Sequence, residues 1–115
     1  MREPLRDFHR LEHILDAIGR LLEADKGNAL DQVIEKQLKY YGVIKLLEII
    51  GEASYKLTKE FRDSHPATPW KYVIGMRHIL VHGYYQVNRA DVLKTIREDL
   101  PLLQAQIATY LLEFK

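Results

Sequence analysis

Hydrophobic residues recur every three or four positions along most of this chain, which is the spacing of amphipathic helices. The first stripe is formed by Leu5, Phe8, Leu11, Leu15, Ile18 and Leu22. It predicts a helix over residues 4–23, followed by a turn at residues 24–28. Gly27 and Asn28 tolerate left-handed backbone in that turn, and Asn28 could instead cap the next helix.

A second stripe is long enough to predict one helix from about residue 29 to about residue 61. Its apolar positions are Ile34, Leu38, Tyr41, Leu46, Ile49, Ala53, Leu57 and Phe61. Gly42 and Gly51 lie inside it, and each is a possible bend or point of close packing.

The segment 62–69 contains two of the four prolines and is the clearest break in the pattern. Thr68 followed by Pro69 predicts a capped helix that starts at about Trp70. Gly83 predicts its end. This central helix is apolar nearly all round, with Met76 and Ile79 opposite Trp70 and Val73. We therefore expect both faces to be covered, one by its own bundle and one by a second subunit.

The last stripe runs to the end of the chain, with Asn88 as its predicted cap. Its apolar positions are Val92, Ile96, Leu103, Ile107, Leu111 and Phe114. Pro101 lies well inside and should kink the helix or divide it. With no strand-like alternation, the chain is expected to form one all-α domain over residues 1–115, an up-and-down bundle of four to five antiparallel helices.

Composition excludes several classes of protein. The 115 residues are 47% hydrophobic and 29% charged, as in an ordinary globular domain. The absence of cysteine excludes disulfide scaffolds, thiolate zinc sites and cysteine nucleophiles. We expect a cytoplasmic protein, because no apolar run approaches a membrane span of roughly 20 residues and the first ten residues lack a signal-peptide core.

The net charge of +1 is unevenly distributed. Residues 62–97 contain six Lys or Arg and two Asp or Glu, a balance of +4, and the remainder of the chain carries −3. Positive charge around the central helix indicates an anionic, phosphate-bearing partner.

The candidate chemistry lies on the central helix. Arg77 falls in the middle of an apolar stripe with Trp70, Val73, Ile74 and Val81. RNA supplies its own nucleophile, the 2′-hydroxyl, so cleavage needs a proton-transfer group and a fixed cation, which His82 and Arg77 can provide without a metal. Residues five apart point about 140° from each other in an ideal helix, so His82 reaches the phosphate on Arg77 only if the helix ends there, as Gly83 suggests. A homodimer would alternatively bring in a second copy of the pair.

The run from Arg77 to Tyr84, RHILVHGY, contains R-x4-H-x-Y and resembles the motif of HEPN-domain proteins, specifically the HepT-like toxins of HEPN/MNT toxin–antitoxin pairs. The flanks agree: Gly51-Glu52-Ala53 late in the second helix, Trp70 seven residues before the arginine, and the exit Tyr85-Gln86-Val87-Asn88. The resemblance covers about residues 31–103.

The resemblance implies a homodimeric, metal-independent endoribonuclease toxin of a type II toxin–antitoxin pair, with Arg77 and His82 in a cleft between subunits. It implies a partner too, an MNT-type nucleotidyltransferase antitoxin that attaches AMP to Tyr84, where added phosphates would occupy the anion site. Tyr84 would otherwise position the RNA substrate. Many relatives have asparagine after the arginine, so His78 is either a substitute polar contact or a second proton-transfer group.

Each residue also has a structural alternative. Arg77 could pair with Glu48 or Glu52 across the bundle, and Glu52 could be only a polar residue at the edge of a helix. His82 could serve the helix dipole alone. Tyr84 and Tyr85 could be interface aromatics.

Two histidine pairs have the four-residue spacing of metal ligands, His78 with His82 and His9 with His13. No third ligand accompanies either pair, so we expect no metal and no other cofactor. Two other classes of function stay open: a non-catalytic helical module that binds nucleotides or a protein, and an inert dimerisation unit.

Overall fold

The computed structural model describes residues 2–83 and 87–114, and for residues 2–5 the backbone alone. Its helices are α1 (Arg2–Ala24), α2 (Leu30–Val33), α3 (Gln37–Tyr55), α4 (Lys59–Ser64), α5 (Trp70–Gly83), α6 (Arg89–Lys94) and α7 (Leu100–Leu111). Short 3-10 turns cover Lys26–Asn28 and Leu112–Phe114, and a π-helical turn, Thr95–Asp99, joins α6 to α7. Across this described part of the chain there is no strand, and the predicted all-α bundle is confirmed.

The core lies where α1, α3 and α7 meet. Helix α1 packs against both α3 and α7, and α5 packs against α3. The fully buried side chains of α1 are Leu11, Ile14, Ile18 and Leu21, whereas Leu15 and Leu22 lie at the edge of the core. Burial of such side chains supplies most of the driving force for this arrangement.

The prediction of one continuous helix over 29–61 is wrong, because the chain leaves helical geometry twice in that range. At the first break Lys36 is extended, with φ −97° and ψ 115°. Arg89 donates to the carbonyl oxygen of Ile34 at 2.7 Å and to the side chain of Gln37 at 2.7 Å. A distant arginine therefore holds this break together, and the helical periodicity of the segment could not show it.

The second break is at Thr58, which is extended with φ −64° and ψ 151° and caps α4 by accepting from the backbone N–H of Phe61. The buried carboxylate of Asp7 on α1 accepts from both the backbone N–H and the hydroxyl of Thr58, each at 2.8 Å. Two charge-assisted hydrogen bonds from α1 thus fix the end of α3 and the start of α4.

The other turns follow the sequence more closely. Gly27 and Asn28 both have positive φ, so Asn28 takes the left-handed option and leaves the N-cap of α2 to Ala29. Asn88 caps α6 as predicted, accepting from the N–H of Ala90 at 2.7 Å. Helix α5 starts at Trp70 as predicted. The hydroxyl of Thr68, the predicted cap, forms hydrogen bonds with Gln106 and Tyr110 on α7.

Pro101 divides the last helix, as expected. It occupies the first turn of α7, where its missing N–H costs nothing, and the π-helical turn Thr95–Asp99 precedes it. Within the described residues, no helix combines the length and the apolar character needed to cross a bilayer.

Candidate functional site

The site is built on α5, which is anchored at its N-terminal end. Trp70 is buried, and its indole N–H donates to the carbonyl oxygen of His65 at 3.0 Å. Val73 and Leu80 are buried on the same helix. These contacts fix the rotation of α5 and therefore which of its polar residues face α3.

Gly51 is the point of closest approach between α3 and α5. A Cβ atom on Gly51 would overlap the Cβ of Arg77 and would lie 3.2 Å from the carbonyl oxygen of Val73. Glycine is required here because any side chain would push the two helices apart. The close-packing role predicted for Gly51 is confirmed, whereas a Cβ at Gly42 would meet nothing within 4 Å.

Arg77 lies at the edge of this contact, half-buried, with 35% of its side chain exposed. Its Nε forms an ion pair with Oε1 of Glu52, and its guanidinium carbon is 5.9 Å from the centre of the Tyr55 ring. The structure thus contains the ion pair anticipated as the alternative role of Arg77, with Glu52 as the partner. Glu48 instead approaches Lys45, at 3.8 Å.

The Arg77–Glu52 pair is not sealed inside the bundle. It lines an open groove together with Lys45, Glu48, Ile49 and Val81. A guanidinium has five N–H donors in a planar fork, and the contact with Glu52 uses Nε. Arg77 can therefore contact a second oxyanion from the groove side.

His78 and His82 lie on an adjacent, solvent-exposed face of α5. Both side chains are exposed, and their ring centres are 4.7 Å apart. The helix ends at Gly83 as predicted, but His82 keeps helical geometry, so its direction differs from that of Arg77 by about 140°. The expectation that the helix end would turn His82 toward Arg77 of the same chain is therefore not met within α5.

Tyr84, the predicted substrate-positioning and modification residue, lies outside the described residues, as do Tyr85 and Gln86. In the ranges 2–83 and 87–114, no three His, Asp or Glu side chains gather closely enough to hold a metal ion. His9 contacts Glu12, at 3.3 Å between Nδ1 and Oε1.

Two of the positively charged side chains in residues 62–97 are engaged by groups outside α5. Arg97 binds Asp25 and Asp31, and Arg89 is held by Ile34 and Gln37. The charge count along the chain therefore overstates the charge available at the site, because carboxylates from distant segments pair with Arg97 and because Arg89 is directed to the junction of α2 and α3.

Two residues of the site carry more weight than the sequence suggested. Glu52 is the ionic partner of Arg77, and Tyr55 provides an exposed ring beside it. Both follow Glu48 on α3 at helical spacing, so these three positions share a face. That spacing, together with Gly51, is the sequence signal from which the position of Glu52 and Tyr55 beside α5 could have been predicted.

The chain matches the family model described as "Ribonuclease HepT-like" over residues 14–110. It is similar to a "Putative RNase" of Caldanaerobacter subterraneus subsp. tengcongensis, with 39% identity over 84% of this chain and 87% of that protein. A "Putative RNase" of Methanocaldococcus jannaschii is 34% identical over 84% of this chain and 89% of its own length. A "Probable ribonuclease HepT" of Thermococcus cleftensis is 33% identical over 92% and 94%, respectively.

No solved structure matches the chain with significance. The family match nevertheless extends from the middle of α1 to the end of α7, and so it includes Glu52, Arg77 and both histidines of α5. This chain therefore belongs to the HepT-like ribonuclease family.

Proposed function

We propose that this protein is a metal-independent endoribonuclease that acts as the toxin of a toxin–antitoxin pair. The observation that carries the proposal is the position of Arg77, a half-exposed arginine in an open groove, on the same helix as two exposed histidines. Family membership supports RNA as the substrate.

The proposed reaction is an internal transesterification. The 2′-hydroxyl oxygen forms a bond to the adjacent phosphorus while the bond from phosphorus to the 5′-oxygen breaks. His82 accepts the proton of the 2′-hydroxyl, and a second imidazole gives a proton to the departing 5′-oxygen. Arg77 binds the non-bridging oxygens and stabilises the charge that develops on them. His78 is the second imidazole within one chain, and His82 of a second copy is the other candidate.

A homodimer is part of the proposal, because Arg77 and His82 point in different directions on α5. A second copy would place its own histidines against the Arg77 groove. The exposed apolar side chains of Tyr72, Ile79 and Leu102, with exposed fractions of 56%, 58% and 64%, give a second copy an apolar surface to pack on. They lie beside Met76, across α5 from Arg77, so they support self-association and not the placement of the partner's histidines.

Tyr84 is the proposed target of a partner nucleotidyltransferase of the MNT type. The phosphate of AMP on Tyr84 would compete with RNA for the guanidinium of Arg77. Intact-mass measurement of the protein co-produced with the product of its neighbouring gene would detect this adduct, and fragmentation would locate it. An adduct confined to other residues would contradict this part of the proposal.

The direct test of the nuclease uses two matched oligonucleotides, one of RNA and one with deoxyribose throughout. In excess chelator, the wild-type protein should cut only the RNA and should leave 2′,3′-cyclic phosphate ends, since the 2′-hydroxyl is the nucleophile. Cleavage of the deoxy oligonucleotide, or loss of all cleavage in chelator, would contradict the mechanism.

The second candidate function is a non-catalytic module that binds nucleotides or a protein, and the Arg77–Glu52 ion pair favours it. Such a module would show no RNA cleavage, and Arg77→Ala would still weaken its binding of nucleotides. The same oligonucleotides therefore separate the two functions.

A further inference from the structure

A second surface, rich in Lys and Arg, lies at the C-terminal end of α3. It is an open groove of about 700 Å³ between the start of α1, the end of α3 and the start of α4. We call it the α1–α4 groove. Its lining residues are Arg6, Arg10, Tyr55, Lys56, Leu57, Thr58, Lys59 and Arg62. Five of these eight are Lys or Arg, and none is Asp or Glu.

The carboxylates nearest to the groove are already engaged. Asp7 accepts from the backbone and hydroxyl of Thr58, Asp63 pairs with Lys59 at 2.7 Å, and Glu52 lies 3.5 Å from Lys56. These contacts hold the walls in place, and the five cations of the lining exceed the three carboxylates by two.

The arginines are arranged in a way that an anion would favour. Arg6 and Arg10 are one turn apart on α1, a spacing at which like charges repel. Arg62 lines the same groove from α4 and brings a third guanidinium to it. A phosphate in the groove would relieve the repulsion.

Tyr55 connects this groove to the candidate site. Its ring is 55% exposed and lines the α1–α4 groove, and the Arg77 guanidinium lies against it. Tyr55 also lines the hollow next to it, together with Arg62 and Lys71. An exposed aromatic ring beside a cationic groove is a typical stacking platform for a base of single-stranded nucleic acid.

We propose that the α1–α4 groove binds the phosphates that flank the scissile one, so that a single-stranded RNA runs from Arg77 across Tyr55 to Arg62 and Arg10. This inference rests on the proposed nuclease function for its choice of ligand. The groove would raise affinity for longer RNA without taking part in the chemistry, since backbone phosphates contribute binding without sequence information.

The test compares Arg10→Gln/Arg62→Gln with the wild type and with Arg20→Gln. Arg20 is an exposed arginine on α1 that pairs with Asp16, and it serves as the control for loss of an arginine outside the groove. Arg6 is left unchanged because its Nε donates to the carbonyl oxygen of Lys56 and ties α1 to the end of α3. Thermal melts confirm that each variant is folded.

Binding is measured by fluorescence anisotropy over a range of salt concentrations, with a 2′-O-methyl RNA of about 12 nucleotides, which lacks the nucleophile, and with a dinucleotide of the same chemistry. The double variant should bind the longer RNA more weakly, and its plot of log affinity against log salt should be flatter by about 1.4, for two lost phosphate contacts. Affinity for the dinucleotide should not change. Arg20→Gln should match the wild type in every measurement.

The failure of this inference can be told apart from the failure of the nuclease. Equal salt dependence of binding in the double variant and the wild type would overturn the proposal that RNA binds in the α1–α4 groove, even if the wild type cuts RNA. An equal loss in Arg20→Gln, or an equal loss for the dinucleotide, would overturn it as well. A specific loss for the longer RNA would support the groove even if no cleavage is found.

Discussion

Arg77 and Arg97 are two arginines of similar exposure, 35% and 30%, with very different surroundings. Arg97 makes three hydrogen bonds to carboxylates, at 2.7 Å and 2.9 Å to Asp25 and at 3.0 Å to Asp31. These bonds raise the pKa of Arg97 and lower the pKa of Asp25. Arg77 has one carboxylate partner, Glu52, and faces an open groove. Exposure alone therefore does not distinguish these two arginines; the number of carboxylates that hold each of them does.

The histidines show the same contrast. His65 has 13% of its side chain exposed, and both of its ring nitrogens are engaged, by the carbonyl oxygen of Phe61 and by Glu113, each at 2.8 Å. Its ring also stacks on Phe61 at 3.9 Å. His78 and His82 are exposed and contact each other. A histidine available for proton transfer needs such access to solvent and substrate.

Replacing one histidine from each region should give the largest differences in cleavage rate and in melting temperature. His82→Ala should reduce the rate of RNA cleavage by about 10²- to 10⁴-fold, the usual contribution of a general acid or base, with little change in melting temperature. His65→Ala should lower the melting temperature and leave the cleavage rate of the folded protein unchanged. A loss of cleavage in His65→Ala, with an unchanged cleavage rate in His82→Ala, would contradict the role proposed for His82.

The substitution Asp25→Asn tests the ion pair between Asp25 and Arg97. Loss of its charge-assisted hydrogen bonds should lower the free energy of unfolding at neutral pH by about 1.5–3 kcal/mol. Because Arg97 lowers the pKa of Asp25, the wild-type contribution is present above the ordinary pKa of 3.8 and is lost as the pH falls through the lowered value. Denaturant unfolding should show that the difference between wild type and variant shrinks in acid. A difference that stays constant would argue against the ion pair.

Gly51→Ala should disturb the α3–α5 contact at Arg77. The added methyl group overlaps the Cβ of Arg77, and overpacking of this kind costs about 1–3 kcal/mol of unfolding free energy. Cleavage should fall as well, because α5 must shift. Gly42→Ala is the control, since its methyl group meets nothing and an exposed helical glycine gains about 0.5–1 kcal/mol on replacement by alanine. Equal unfolding free energies and cleavage rates in the two variants would contradict the close approach of α3 and α5 at Gly51.

Glu52→Gln should have the smallest effect on stability. A half-exposed ion pair contributes about 0–1 kcal/mol, so the free energy of unfolding should change by less than that. Removal of the competing carboxylate should tighten the binding of non-cleavable RNA. Weaker binding would show instead that Glu52 orients Arg77, and titration by anisotropy distinguishes the two.

The sequence predicted the fold class, the limits of α5, the cap at Asn88 and the break at Pro101, because each depends on local chemistry. It missed the breaks at Lys36 and Thr58. Both are fixed by side chains from distant segments, Arg89 and Asp7, and helical periodicity carries no information about them.

The site was predictable to a similar degree. The motif identified Arg77 and the histidines as candidates, and Glu48 or Glu52 was anticipated as a partner of Arg77. The structure selects Glu52 and places His82 on another face of α5. The direction of a side chain depends on helical phase at the helix end, which the sequence left open. The α1–α4 groove was missed because its cations come from α1, from α4 and from the junction between α3 and α4.

The most direct test of the central claim, that Arg77 binds the scissile phosphate, is the single-turnover rate of RNA cleavage by Arg77→Ala beside Arg97→Ala, both at a temperature where melts show them folded. Loss of a group that stabilises developing charge typically costs about 10²- to 10³-fold, and we expect that loss for Arg77→Ala alone. An Arg77→Ala protein that cuts RNA at the wild-type rate would contradict the account.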